Sequence, residues 1–329
     1  MANIEHRTPN AMNILLSSAG RRVALTESFR QALKGRGRVL ATDADPTAPA
    51  LYAADKGILV PRADDVGYVP ALLDICRTEG VGAVIPLIDT ELPGLARAHD
   101  EFRRVGTQVL LAGPDSVETC FDKLQTASLF ERLEIPAPGT VAGGRWSVAG
   151  GRWPVVVKPR RGSAGKGVNI ARTAAEVDYW LAATPDALIQ ELLVGPEVTT
   201  DVLCDLEGRP LLAVQRERLK TRGGEVERGV TVCHPKITEY ALRAAEALRP
   251  AGAINIQCFL TKRGPLFTEI NPRFGGGYPL AHAAGAAFPE RIVAMLVQGP
   301  QPSLPALRVG VVMMRFDQAV FRTREELLT

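Results

Sequence analysis

Four stretches of the 329-residue chain carry side chains that could do chemistry together. The first is Val155-Val156-Val157-Lys158, an apolar run ending in a lysine. A loop follows in which Gly162, Gly165 and Gly167 lie among Arg160, Arg161 and Lys166. Three β-branched residues in a row read as a strand. Glycine lets a backbone approach a ligand closely and turn its N–H groups toward phosphate oxygens. The stretch therefore reads as a lid over a nucleotide triphosphate, or as a hairpin with a solvated basic tip. The second stretch is Ala253–Asn271, a hairpin pattern turning through Thr261-Lys262-Arg263-Gly264-Pro265. Side chains alternate faces along a strand, so Phe267, Glu269 and Asn271 are expected on one face. A turn centred near Arg263 puts Gln257 opposite Glu269, with Phe259 on the same face. Gln257, Glu269 and Asn271 then offer oxygen ligands that suit Mg²⁺, or form an ordinary half-exposed polar face. A partly buried carboxylate at Glu269 would need a cation, and the same argument applies to Lys158 at the end of a buried strand. The third is Arg273, placed to stabilise charge on a transferring phosphoryl group or its acceptor, or simply exposed in a loop. The fourth is Gln190-Glu191-Leu192-Leu193 with Gly195-Pro196-Glu197, a strand breaking into an open hinge suited to the edge of a flat heterocycle.

These residues need elements to position them. From residue 12 to about 115, strand-like runs alternate with helical patterns. The strands are expected at Asn13–Leu16, Arg38–Thr42, Gly57–Val60, Val81–Leu87 and Gln108–Ala112, the helices at Val23–Leu33, Tyr68–Arg77 and Glu91–Arg104. That alternation predicts a parallel sheet covered by helices, with ligands collecting at the carboxyl ends of its strands. Two sequences fall there, Ser17–Arg22 and Pro86–Glu91. Arg21 and Arg22 could hold an anionic or carboxylate substrate, or be solvated residues at a helix start. Asp89 and Glu91 could face the same substrate, or be there because acids suit a first helical turn.

Residues 114–135 read as one helix, and Ile135-Pro136-Ala137-Pro138 as a rigid connector. Gly143-Gly144 and Gly150-Gly151 mark a hairpin-like piece. Residues from about 140 to 205 read as a small α+β lobe containing the glycine loop. Those from about 206 onward read as an α+β lobe with antiparallel strands. The arginine-rich stretch Arg216–Arg228, with Arg216, Arg218 and Arg222, is either a loop over an anionic substrate or a solvated hairpin. The expected division is a disordered tail at 1–11, an α/β domain at 12–115, a linker helix with the lid lobe at 116–205, and a C-terminal lobe at 206–329.

Composition narrows the class. A net charge of +3, from 39 basic and 36 acidic residues, is too balanced for a nucleic-acid binder. Five cysteines and four histidines are scattered without the spacing of a zinc site or a disulfide framework. No apolar run is long enough to span a membrane, and a cytoplasmic location is expected.

In this order the motifs resemble the ATP-grasp superfamily, and within it the carbamoyl phosphate synthetase large subunit and its single-module relatives, including the ligase of pyrrolysine biosynthesis. The likeness rests on Cys120–Lys123, Val156–Pro159, Gly162–Val168, Gln190–Leu193, Gly195–Glu197, Asn255–Gln257 and Glu269–Arg273, with Asn13–Arg22 resembling the N-terminal lobe of the single-module group. It implies three lobes with ATP clamped between the middle and last. Lys123 and Lys158 would contact phosphate or adenine, and the loop Gly162, Ser163, Ala164, Gly165, Lys166, Gly167 would cover the triphosphate. Gln190, Glu191, Leu192 and Leu193 would meet the adenine edge, and Glu197 the ribose. Gln257, Glu269 and Asn271 would hold Mg²⁺, with Mn²⁺ as an alternative, while Arg273, Lys158 and Asn271 would act in catalysis. Many relatives carry an acid where Gln257 stands, which leaves this metal site one charge weaker. The activity implied is carboxylate–amine ligation through an acyl phosphate. The alternative is phosphorylation of a carboxylate or carbonate-like acceptor without amide formation. Small-molecule acids and amines are the expected partners, and a homodimer is compatible with the family. Substrate contacts are expected among Arg21, Asp89, Glu91, Arg216, Arg218 and Arg222.

Overall fold

The N-terminal strands β1 (Asn13–Ser17), β2 (Val39–Asp43), β3 (Lys56–Leu59), β4 (Val81–Pro86) and β5 (Gln108–Val109) form a parallel sheet in the order β3-β2-β1-β4-β5. Ile14, Leu15 and Leu16 are fully buried, because helices cover both faces of such a sheet. The order reverses between β1 and β4, so a crevice opens beyond their carboxyl ends, at Ser17 and Pro86. In this computed structural model residues 12–143, 153–162, 165–301, 303 and 306–329 are described. The tail 1–11, most of the expected glycine hairpin (Gly144, Gly150 and Gly151), Ser163 and Ala164 lie outside them.

The lid sheet contains β6 (Thr140–Ala142), β7 (Val155–Pro159), β8 (Asn169–Ala171) and β9 (Ala187–Glu191) in the order β6-β9-β7-β8, all antiparallel. A third sheet has the order β14-β13-β10-β11-β12-β15. Its strands are β10 (Glu197–Cys204), β11 (Pro210–Arg222), β12 (Glu225–Val232), β13 (Gly252–Thr261), β14 (Gly264–Asn271) and β15 (Val312–Met314). The expected lid lobe ran to residue 205, but β10 lies in the middle of this large sheet, between β11 and β13. Val198, Val202 and Cys204 pack with Ile237, Ala241 and Leu248 of the helix Pro235–Leu248. A strand buried along nearly all its length needs a neighbour on each side, and the small lid could not supply them.

Residues 114–135 are two helices rather than one, Pro114–Phe121 and Lys123–Arg132. Asp122 interrupts them because its carboxylate caps the second helix, accepting the backbone N–H of Leu124 (2.9 Å) and Gln125 (3.3 Å). Both helices pack on the back of the large sheet through Cys120, Leu129 and Phe130. The expected helix from Glu91 starts one residue later, at Leu92, and breaks at Ala98. Glu91 turns back to accept the N–H groups of Leu87 (2.7 Å) and Ile88 (3.0 Å). Beyond β14 the chain returns to the N-terminal sheet, where Phe274, Tyr278 and Phe288 join Phe29 in one core.

Candidate active site

The three sheets meet around a cavity of about 670 Å³. The lid contributes Val156, Lys158, Val168 and Ile170. The hinge supplies Glu191–Leu193 and Glu197, and the large sheet Gln257, Phe259, Glu269 and Asn271. Arg22, Ile88, Asp89, Arg273 and Gly275–Gly277 close the remaining side.

Lys158 is buried at the end of β7, and its Nζ donates to Gln190 Oε1 at 2.8 Å. Burial pushes its amine down to about 8; the charge of Glu269 opposes that shift and that of Lys123 adds to it. Lys123 opens the second of the paired helices and donates its Nζ to Gly162 O at 2.8 Å. Burial lowers this amine too, against the charges of Glu269, Asp89 and Asp122. Asp89 and Asp122 are already paired with Arg273 and Arg160, so the two partly desolvated ammonium groups have mainly Glu269 to offset them and favour added anionic charge. The glycine loop is tied down at its base. Arg160 places Nε 2.8 Å from Asp122 Oδ1 and Nη2 2.5 Å from Oδ2, while the N–H of Lys123 donates to Arg160 O at 3.1 Å. Gly165 and Gly167 take φ of +69° and +71°, which L side chains rarely adopt. Lys166 is exposed and does not line the cavity.

Gln257 does face Glu269, and Asn255 faces Asn271. The pairing arises from two departures that offset each other. The turn holds only Lys262 and Arg263, between the paired Thr261 and Gly264, and a bulge at Thr268 restores the register. The bulge also corrects one expectation. Phe267 pairs with Cys258 and lies in the core with Phe130 and Tyr240, whereas Thr268, Glu269 and Phe259 line the cavity. Asn271 is buried and donates Nδ2 to Asn255 Oδ1 at 3.3 Å.

Arg273 reaches Asp89 through Nε and Nη2, both at 2.6 Å. Burial alone would lower its guanidinium; Asp89, Glu269 and Glu91 outweigh that and hold it above its ordinary value. Glu91 is buried behind the crevice, bonded to Tyr68 and Ser18, and does not line the cavity. Burial raises its carboxyl. Arg216 is buried against Asp201, with Nε 2.5 Å from Oδ2 and Nη2 3.0 Å from Oδ1. Arg218 pairs with Glu197 at 2.5 Å, and both line the cavity. Arg222 pairs outside with Asp317 at 2.6 Å, and Arg21 is largely exposed, 3.6 Å from Glu225. Of the expected pair Arg21 and Arg22, only Arg22 lines the cavity, and sequence reasoning missed Glu225 and Gly275–Gly277 there. The adjacent Arg21-Arg22 pair and the triple glycine were visible, but which arginine turns inward depends on the turn after β1.

Residues 14–110 match the family model for the PylC-like N-terminal domain, and residues 183–319 match that of the ATP-grasp in the biosynthetic pathway with Ter operon. The biotin carboxylase domain of Hydrogenobacter thermophilus 2-oxoglutarate carboxylase, solved as a dimer with MgADP, ADP and bicarbonate, superposes with a TM-score of 0.73. It is 15% identical, over 91% of this chain and 73% of that one. Thermotoga maritima N5-carboxyaminoimidazole ribonucleotide synthetase gives a TM-score of 0.67 at 20% identity, over 89% of this chain and 78% of that one. The chain has the ATP-grasp fold. The ATP-grasp chain is also similar to an uncharacterized protein, y4rH, of Sinorhizobium fredii (strain NBRC 101917 / NGR234), at 27% identity over 191 residues. That match covers 50% of this chain and 39% of the relative. Among the described residues, no helix is long and apolar enough to cross a membrane.

Proposed function

We propose that this ATP-grasp chain is an ATP-dependent ligase that activates a small carboxylate as an acyl phosphate and joins it to an amine. The observation that carries the reading is the convergence of Lys158, Lys123, Glu269, Asn271 and the Arg273–Asp89 pair around the cavity and a small adjoining pocket that shares Asp89, Glu269 and Asn271 with it. Val168, Ile170 and Phe259 would hold the base, the backbone at Glu191–Leu193 its polar edge, and Glu197 the ribose. Lys158 and Lys123 would bind phosphate oxygens, and Gly165 with its loop would cover them. Glu269, Gln257 and Asn271 offer hard oxygen donors with one negative charge, a set that fits Mg²⁺ whose remaining ligands are phosphate and water. Mg²⁺ bound there would neutralise charge on the phosphates.

In the first step an acceptor carboxylate oxygen attacks the γ-phosphorus, the bond to the β–γ bridging oxygen breaks, and ADP leaves. Arg273, held by Asp89, stabilises the acceptor's charge. In the second step an amine attacks the acyl carbon, phosphate departs, and the amine's proton is released to solvent. Positioning and charge neutralisation do the work, which agrees with a cavity whose lining contains no histidine among the described residues. The bicarbonate bound in the Hydrogenobacter domain favours a second reading, phosphoryl transfer to a carbonate-like acceptor. ADP release measured with acids alone, amines alone and both together separates the two. A ligase requires both. Turnover with bicarbonate or an acid alone, giving a phosphorylated product, would replace the ligase reading with the second.

A further inference from the structure

Most arginines lining the cleft have a carboxylate to themselves: Arg273 has Asp89, Arg216 has Asp201 and Arg218 has Glu197. Arg22 does not. It shares Glu225 with two others. Arg22 Nη1 lies 3.4 Å from Glu225 Oε1, while Arg315 Nη1 and Arg21 Nη2 lie 3.1 and 3.6 Å from Oε2. Burial lowers the Arg22 guanidinium; Glu225 opposes that shift, and the charges of Arg273, Arg315 and Arg21 add to it. The floor beside it is bare backbone. A Cβ on Gly276 would lie 2.5 Å from Arg22 Nη1, and Gly276 O accepts a bond from Arg315. A desolvated, under-neutralised guanidinium at an open cavity wall is a site for an anion.

We propose that Arg22 and the Gly275–Gly277 floor form a subsite for a second, non-reacting anionic group of the acceptor. Resting on the ligase reading above, this assigns the acceptor to small acids with two anionic groups, the second being a carboxylate or a phosphate. Arg273 takes the reacting carboxylate and Arg22 the other. Glu225, already shared by three guanidiniums, sets the limit on their excess charge.

The test compares ADP release with succinate, glutarate, glutamate and phosphoserine against the singly anionic butyrate and alanine, each with an amine mixture. MgADP affinity is measured in parallel by calorimetry. Turnover with the doubly anionic acids only is expected, the carboxylate and phosphate members distinguishing the two forms of the group. Arg22→Met should raise KM for the active acid about 30-fold or more with MgADP affinity unchanged. Gly276→Ala should do the same by pushing the Arg22 guanidinium off the floor, which serves if Arg22→Met does not fold. Equal turnover with butyrate or alanine, no response to any doubly anionic acid, or an equal loss of MgADP affinity in Arg22→Met would overturn the subsite. MgADP that fails to bind the unaltered protein would instead overturn the ligase reading.

Discussion

The lid sheet and the large sheet close on the same cavity with very different interiors. Among the described residues the lid's buried cluster is small, Val155, Val157, Ala171, Val177 and Ile189, with Val141, Trp180, Leu181 and Ala187 packed against it. The large sheet buries aromatic and aliphatic residues on its back, among them Phe130, Ile237, Leu248, Ile256 and Phe267. On the cavity side the lid leaves Val168 and Ile170 46% and 43% exposed, while the large sheet pairs its charges, as in Arg216–Asp201. At about 25 cal/mol for each Å² of apolar surface buried, the lid's own core supplies little. Its attachments at Asp122, Lys123 and Arg263 hold it instead, and a ligand filling the cleft would complete its packing. Segments of this kind open locally at low free energy. The large sheet is the fixed anvil, and the lid is the part that a bound ligand would stabilise.

That contrast can be broken or sharpened by experiment, taken from the largest expected effect down. Glu269→Ala should reduce acid-dependent ADP release about 10³-fold or more, with the thermal midpoint hardly moved. Unchanged turnover would remove Glu269 from the metal set. Phe267→Ala empties a site packed between Phe130 and Tyr240 and should cost about 3–5 kcal/mol in a urea titration. The loss should be global; one confined to the lid would erase the distinction between the two sheets.

Lys158→Met should weaken MgADP about 100-fold, the loss of a buried charge-assisted contact. It should also stabilise the free protein by about 1–3 kcal/mol at pH 7, because a buried ammonium is no longer desolvated. The pH dependence has a definite sign. With the folded amine held down to about 8, the unfolded chain keeps a proton that the folded chain has lost between pH 8 and the ordinary lysine range near 10.4. Stability of the free protein therefore rises with pH across that window, and the full penalty applies below it. Affinity for MgADP runs the other way, flat below about pH 8 and falling by up to about tenfold per unit above it. Calorimetry at pH 7, 8 and 9 checks both. Ile170→Ser should lower MgADP affinity about fivefold and leave urea unfolding unchanged, since Ile170 is 43% exposed without ligand. An equal loss of stability would mean that the lid needs this residue for its own packing.

Much of this division is legible in the chain. The β-branched run before Lys158 and the βα periodicity of the first hundred residues are local patterns that survive folding. The Gln257–Glu269 pairing, by contrast, follows from counting only because the shorter turn and the bulge at Thr268 offset each other. What the sequence hides is non-local. Glu197–Cys204 mixes apolar with polar residues, and nothing in it says whether it belongs to the lid or to the larger sheet. Asp122 inside an apolar period looks like a helical residue until its carboxylate is seen capping Leu124 and Gln125. Arg222 and Arg216 look alike in one cationic stretch. One ends outside on Asp317 and the other is buried on Asp201, and only the partner strand decides which.

Thr268 has a bearing on how β14 can change. Its neighbours Phe267 and Glu269 oppose Cys258 and Gln257, which are consecutive on β13. Removing Thr268 would therefore leave an unbroken ladder with Phe267 still facing the core and Glu269 still facing the cleft. The strand carries one residue more than its pairing requires, and that surplus contributes a hydroxyl bonded to Gln257 O at 3.3 Å. Chain length and side-chain phase are uncoupled at this position, so a protein one residue shorter here could keep both its interior and its chemistry.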